Sequence, residues 1–130
     1  MNSCKVCIVT GASRGLGRGI ALVLARDEGC RVYATARNGD ALKALVEEAA
    51  TGTKGGTVNA CVLDQNDDAA VQAFVEQVKT KESQVNLLVN SAYGGLIAVK
   101  PHFGKPFWER PLSVFDASLN IGLRSAHVMS

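Results

Sequence analysis

Eight consecutive residues, Thr10-Gly11-Ala12-Ser13-Arg14-Gly15-Leu16-Gly17, have the types and spacing to bind phosphate. They follow the apolar run Val6-Cys7-Ile8-Val9 and precede a stretch whose apolar residues recur at helical spacing. A strand that ends in a glycine-spaced turn and opens a helix points backbone N–H groups outward. The helix dipole favours an anion at that place. The glycines divide the work of such a turn. Gly11 makes the sharp exit from the strand, Gly15 lets a pyrophosphate approach the backbone, and Gly17 lets the helix lie close on the sheet.

Such a turn needs a strand beneath it and a helix behind it, and the rest of the chain repeats that alternation. The first helix carries Leu16, Ile20, Val23 and Leu24 on its apolar face, with Gly29 as its cap. The second strand is Arg31-Val32-Tyr33-Ala34-Thr35, and Asn38 or Asp40 opens a helix whose inner face is Leu42, Leu45, Val46 and Ala49. Residues 51–57 are a glycine- and threonine-rich loop, too short to link domains. A third strand runs from Val58 to Leu63, and Val71, Phe74, Val75 and Val78 line the helix after it. The fourth strand, Asn86 to Asn90, precedes a loop holding Pro101, Pro106 and Pro111, and a last helix starts near Leu112.

Alternating strands and helices predict an α/β domain: a Rossmann-like, doubly wound parallel sheet over residues 1–130. Right-handed crossovers give the strand order 3-2-1-4. The apolar strand Leu87-Leu88-Val89 is then an edge with unpaired backbone groups, so the sheet reads as truncated after the fourth strand and the following helix.

Composition narrows the function classes. With 47% apolar and 20% charged residues the chain reads as globular, and a net charge of +2 is too small to imply nucleic acid or an anionic membrane. No apolar run is long enough for a transmembrane segment. The strand begins too near Met1 to leave room for a leader, which predicts a cytoplasmic protein. Cys4 and Cys7 form a Cys-x-x-Cys, but residues three apart on a strand face opposite ways and no second pair completes a metal site. All four cysteines, with Cys30 and Cys61, are expected to be core thiols, and no metal is expected.

The end of the second strand chooses the nucleotide. An acidic residue there would accept hydrogen bonds from ribose hydroxyls and repel a 2′-phosphate. The sequence has Ala34-Thr35-Ala36-Arg37 instead. Arg37 can fork onto a phosphate, and Arg14 in the glycine turn can approach it from the other side. S-adenosylmethionine-dependent methyltransferases share the strand–glycine–helix layout but want an acid at that position, so Ala36-Arg37 argues against them.

Thr10 followed by Gly-x-x-x-Gly-x-Gly resembles the short-chain dehydrogenase/reductase family, and the resemblance runs over essentially the whole chain. It implies an oxidoreductase that transfers hydride between NADP(H) and a small-molecule carbonyl or alcohol. The cofactor-binding residues it implies are Thr10, Gly11, Ser13, Arg14, Gly15, Leu16, Gly17, Arg37, Asp64, Asn90 and Ala92. Asp64 matches an adenine-contacting aspartate backed by Gln65, or it is simply a turn residue. Asn90-Ser91-Ala92-Tyr93 falls where the family writes Asn-Asn-Ala-Gly. Asn90 would brace the sheet there, while Ser91 and Tyr93 depart from the pattern and the turn shifts toward Gly94.

The family's catalytic serine and Tyr-x-x-x-Lys pair have no match here, so no catalytic residue is assigned and the 130-residue chain is expected to be inactive alone. Tyr33 has Arg37 four residues on, and Tyr93 has Ile97. Gly122 stands where a relay asparagine belongs, and Asn120 is about 200° away around a helix. His102 and His127 lack triad-like neighbours, and Phe107 and Trp108 either line a substrate mouth or pin the loop. The proline loop and Asn120-Ile121-Gly122-Leu123-Arg124 resemble a branch of the family that implies reduction of steroid-like or xenobiotic ketones at the endoplasmic reticulum. The last helix resembles part of the family's homo-oligomer surface, which admits a second reading: a non-catalytic, truncated isoform that binds nucleotide or a partner subunit.

Overall fold

The structure, a computed structural model, describes residues 4–93 and 98–130. Four parallel strands, β1 (Val6–Val9), β2 (Arg31–Ala36), β3 (Thr57–Val62) and β4 (Leu87–Val89), form one sheet in the order β3-β2-β1-β4. This is the order expected from the sequence, and β4 is an edge. Between the strands run α1 (Gly15–Arg26), α2 (Gly39–Ala49) and α3 (Asp68–Lys81).

The central strands β1 and, beyond Arg31, β2 are buried on both faces, as their apolar sequences require, while β3 and β4 are partly exposed. Cys7, Val9, Val32 and Ala34 point to one side, where Ala21 and Ala25 of α1 and Leu42 and Leu45 of α2 cover them. Val6, Ile8 and Tyr33 point to the other, against Val71, Phe74 and Val78 of α3. The face of α1 that packs differs from the expected one. Gly17, Ala21 and Ala25 are buried, Ile20 and Leu24 pack at its margins, and Leu16 and Val23 are 77% and 47% exposed. Small residues let α1 approach the sheet closely, and the larger side chains are displaced outward. Of the four thiols, Cys7 and Cys30 are buried and Cys61 half-buried, but Cys4 is exposed and donates to the Gly29 carbonyl at 3.1 Å. Burial pushes the Cys7 thiol up to about 11, which keeps it protonated.

The last helix is not continuous. It divides into α4 (Leu112–Ser118) and α5 (Ser125–Met129), joined by a wide turn over Leu119–Arg124 in which Ile121 leaves helical geometry (φ −106°, ψ 60°). Met129 is buried against the α3 face of the sheet, and the Arg124 guanidinium holds both carboxylate oxygens of Asp68, at 2.8 and 2.6 Å. No helix among the described residues is long and apolar enough to cross a membrane.

Candidate functional site

At the C-terminal end of β1 the chain turns through Gly11 and Gly15, both left-handed (φ 62° and 61°), and enters α1. Neighbours hold this turn from both sides. The Ala12 N–H donates to the Thr35 carbonyl at 3.1 Å, fixing the turn to β2. Thr10, fully buried, accepts on Oγ1 from the N–H groups of Ser91 (3.0 Å) and Ala92 (3.2 Å), fixing it to the chain that leaves β4. A Cβ at Gly11 would stand 2.7 Å from Ala92 Cα, and one at Gly17 would overlap the Gly11 carbonyl. Gly17 thus seats α1 on the turn as well as near the sheet. At Gly15 a Cβ would meet open space.

The start of α1 is bare. Arg14, extended at φ −159°, precedes the helix without a side-chain cap, and the first turn holds no acid. The opening N–H groups of α1 therefore lack the side-chain acceptors that helix starts ordinarily recruit. They face a cleft of about 460 Å³. The turn, with Ser13, Arg14 and Leu16, makes one wall; Thr35, Ala36 and Arg37 at the end of β2 make the next. Leu63 and Gln65 follow β3, and Ser91, Ala92, Tyr93 and Ile121 close the far side. Open space over Gly15, unused helix N–H groups and two exposed arginines suit a phosphorylated dinucleotide.

Eight of the eleven residues singled out from the sequence line this cleft: Gly11, Ser13, Arg14, Gly15, Leu16, Gly17, Arg37 and Ala92. Thr10 lies beneath it as a strut. Asp64 is exposed and does not line the cleft; its Oδ1 accepts from the Asn66 N–H at 2.9 Å and closes the turn into α3. Asn90 is also exposed, and its side chain has no hydrogen-bond partner among the described residues. The bracing expected of it is supplied by Thr10 and by Asn86, whose Oδ1 accepts from the Val6 N–H at 2.8 Å.

Gln65, Tyr93 and Ile121 were not expected as cleft residues. They meet there through the topology, and only the position of Gln65 beside Asp64 hinted at it. Gly94 and Ile97 lie outside the described residues.

Neither tyrosine is arranged as a general acid. The Tyr33 hydroxyl is buried away from the cleft and donates to Glu82 at 2.8 Å; burial first, then that bond, push it up to about 12. Glu82 also accepts from Arg31 at 2.7 and 2.8 Å, which with Tyr33 holds its carboxyl below the usual range. Tyr93 lies at the cleft, its hydroxyl 3.3 Å from Ser118 Oγ and its ring edge 3.3 Å from where a Gly122 Cβ would stand. Asn120 is exposed and neither it nor Gly122 lines the cleft, whereas Ile121 does. Phe107 and Trp108 are 79% and 73% exposed and pack edge-on against each other, with ring centroids 5.4 Å apart. His102 and His127 do not line the cleft, and no metal-ligating cluster occurs among the described residues.

A doubly wound parallel sheet, opened at the end of β1 by a glycine turn and an uncapped helix, defines a dinucleotide-binding class of domain. Comparison with known proteins narrows the class. Residues 5–130 match the short chain dehydrogenase family model. The chain is 42% identical over 97% of its length to mouse dehydrogenase/reductase SDR family member 1, and 40% identical to the human protein over the same share. It spans about 40% of the length of each. Among solved structures, a metagenomic short-chain oxidoreductase in complex with NADP superposes with a TM-score of 0.81 at 31% identity, over 96% of this chain and 52% of that one. The chain belongs to the short-chain dehydrogenase/reductase family of oxidoreductases.

Proposed function

We propose that residues 1–130 form the NADP(H)-binding half-domain of a reductase that, in its whole form, transfers hydride to a small-molecule carbonyl. The observation that carries this reading is the cleft itself: an uncapped helix start behind a glycine turn that carries Arg14, with Arg37 and no carboxylate at the end of β2. The N–H groups of Gly15, Leu16 and Gly17 would hold the pyrophosphate, with Ser13 alongside. Arg37 and Arg14 would grip the 2′-phosphate, which an acid in place of Arg37 would repel. Ala92 would pass close to the cofactor, Thr10 keeps that segment in place, and Asp64 and Asn90 complete the set at the cleft's margins. When bound, the cofactor supplies the hydride.

Among the described residues nothing is arranged to move the proton that must accompany it. Tyr33 is committed to Glu82, and Tyr93 has a serine hydroxyl rather than a lysine at its side. The purified 130-residue chain is therefore expected to gain several degrees of melting temperature with excess NADPH and none with S-adenosylmethionine. It is expected to leave ketones unreduced. Ketone reduction by the purified chain would overturn the half-domain assignment, and stabilisation by S-adenosylmethionine would overturn the cofactor.

A second reading, a non-catalytic product that docks on another subunit, is favoured by one observation. Leu112, Phe115, Leu119 and Leu123 are large apolar side chains left exposed along α4 and the turn after it. Ultracentrifugation tests it: a dimer that Leu112→Glu with Leu123→Glu dissolves would support it, and a monomer at high concentration would reject it.

A further inference from the structure

Gly122 lies in the wide turn that follows α4, and its backbone is not left-handed, so nothing in its conformation requires a glycine. A glycine within a helical run weakens it, because the unfolded chain gains backbone freedom there. The reason for this one lies opposite it. Apart from its own turn, a Cβ at Gly122 would meet only the Tyr93 ring among the described residues, at 3.3 and 3.6 Å from two ring carbons.

The ring is anchored at its other end. The Tyr93 hydroxyl lies 3.3 Å from Ser118 Oγ. Ser118 donates its own hydrogen to the Val114 carbonyl at 2.9 Å, which leaves the phenol as the donor to the serine. Four residues apart, Ser118 and Gly122 thus both serve Tyr93, one by holding the hydroxyl and the other by leaving room for the ring. Ile121 stands between them, leaves helical geometry and lines the cleft together with Tyr93. The turn that carries it is tied at its end by Arg124 to Asp68. A larger side chain at position 122 would push the ring into the cleft or the turn away from it.

On the NADP(H) reading, on which this inference rests, the 2′-phosphate lies at Arg37 and the pyrophosphate at the start of α1. The pyrophosphate joins the two halves of the dinucleotide, so the second half runs on toward the side that Tyr93 and Ile121 close. We propose that Tyr93 and Gly122 are a matched pair that sets this wall, and that Tyr93 is a specificity-determining residue for the half of the ligand beyond the pyrophosphate.

A double-mutant cycle read with a long and a short ligand tests the pairing. The 130-residue chain, Gly122→Val, Tyr93→Ala and the double variant are titrated by calorimetry with NADP⁺ and with adenosine 2′,5′-bisphosphate. The bisphosphate reaches Arg37 and the glycine turn but has no second half. Gly122→Val is expected to weaken NADP⁺ about tenfold, the scale of a displaced aromatic contact. Added to Tyr93→Ala, the same valine is expected to change NADP⁺ affinity by less than about twofold, because the ring it displaces is gone. The bisphosphate is expected to bind all four proteins alike. Gly122→Ala, whose Cβ the ring can accommodate by a small shift, is expected to give the same pattern at reduced size, and it replaces the valine should that variant fail to fold.

With both ligands bound by the native chain, three results would overturn the pairing and leave the cofactor reading intact: a valine without effect on NADP⁺, one that costs as much without the ring as with it, or one that weakens both ligands equally. A native chain that binds neither ligand would overturn both.

Discussion

The helices on the two faces of the sheet begin in two different ways. α2 and α3 each start from a capping side chain: Asn38 accepts from the Ala41 N–H and Asp67 from the Ala70 N–H, both at 3.1 Å. Each also places an acid, Asp40 or Asp68, in its first turn, where the helix dipole favours it. α1 has neither device, although it is as long as α2 and as well buried. Its start lies in the cleft, next to two glycines held in left-handed backbone. Two helices are completed by their own sequence, and one has no such completion, which is where we propose that the ligand binds. The fold gives up local stability at the position proposed for the anion.

Replacing Gly17 by valine should break this contrast most severely. Its side chain would overlap the Gly11 carbonyl and press on Ser91 Oγ, so the turn could not close. NADPH affinity is expected to fall at least a hundredfold, and stability by about 1–3 kcal/mol from overpacking. Calorimetric titration and chemical denaturation would measure the two. Unchanged affinity would mean that the turn is not the binding element.

Arg14→Asp would give α1 the start that α2 and α3 possess. Helix capping predicts a gain of about 1 kcal/mol in the unliganded chain, while the carboxylate in the anion site should weaken NADPH binding tenfold or more. Denaturation midpoints and binding constants moving in opposite directions would sharpen the comparison, and parallel movement would break it. Asn38→Ala and Asp67→Ala are the complementary changes. Each is expected to cost about 1 kcal/mol of stability and to leave NADPH affinity within twofold.

The smallest effect concerns the Arg31–Glu82–Tyr33 cluster, which ties β2 to the C-terminal end of α3. Because Glu82 is held below its ordinary value of 4.5, its ionised form stabilises the fold above that pH, and the contribution is lost as pH falls through the lowered folded value. Glu82→Gln should flatten the acid limb of a melting-temperature profile below pH 4.5 and leave nucleotide binding unchanged. An unaltered acid limb would show that the cluster carries no pH-dependent stability.

How far the sequence could be read follows the same division between local and distant determinants. The glycine turn, the four strands and their order were legible because strand period, turn residues and crossover handedness are set within short stretches. Leu16 and Val23 were misread as inward because helical spacing alone does not show that Gly17, Ala21 and Ala25 make a closer-packing face. The break at Ile121 was also invisible, since Leu112 to Met129 carries no proline to mark it. In the site, the residues of the turn itself were found, whereas Tyr93 and Ile121 reach the cleft from segments whose spacing says nothing about it. Gln65 was seen only as support for Asp64. Its inward aim depends on how β3 ends against Ala36, which is a property of the sheet and not of the local sequence.

The cleft between α1 and Arg37 is proposed as a site for a 2′-phosphorylated dinucleotide, and one titration tests that directly. The native chain and Arg37→Ala are titrated with NADPH and with NADH, following the emission of the reduced ring. The native chain should bind NADPH at least tenfold more tightly than NADH, as charge-assisted bonds to one phosphate require. Arg37→Ala should bring the two affinities together by weakening NADPH alone. Equal binding of the two by the native chain, or binding of neither, would contradict the account.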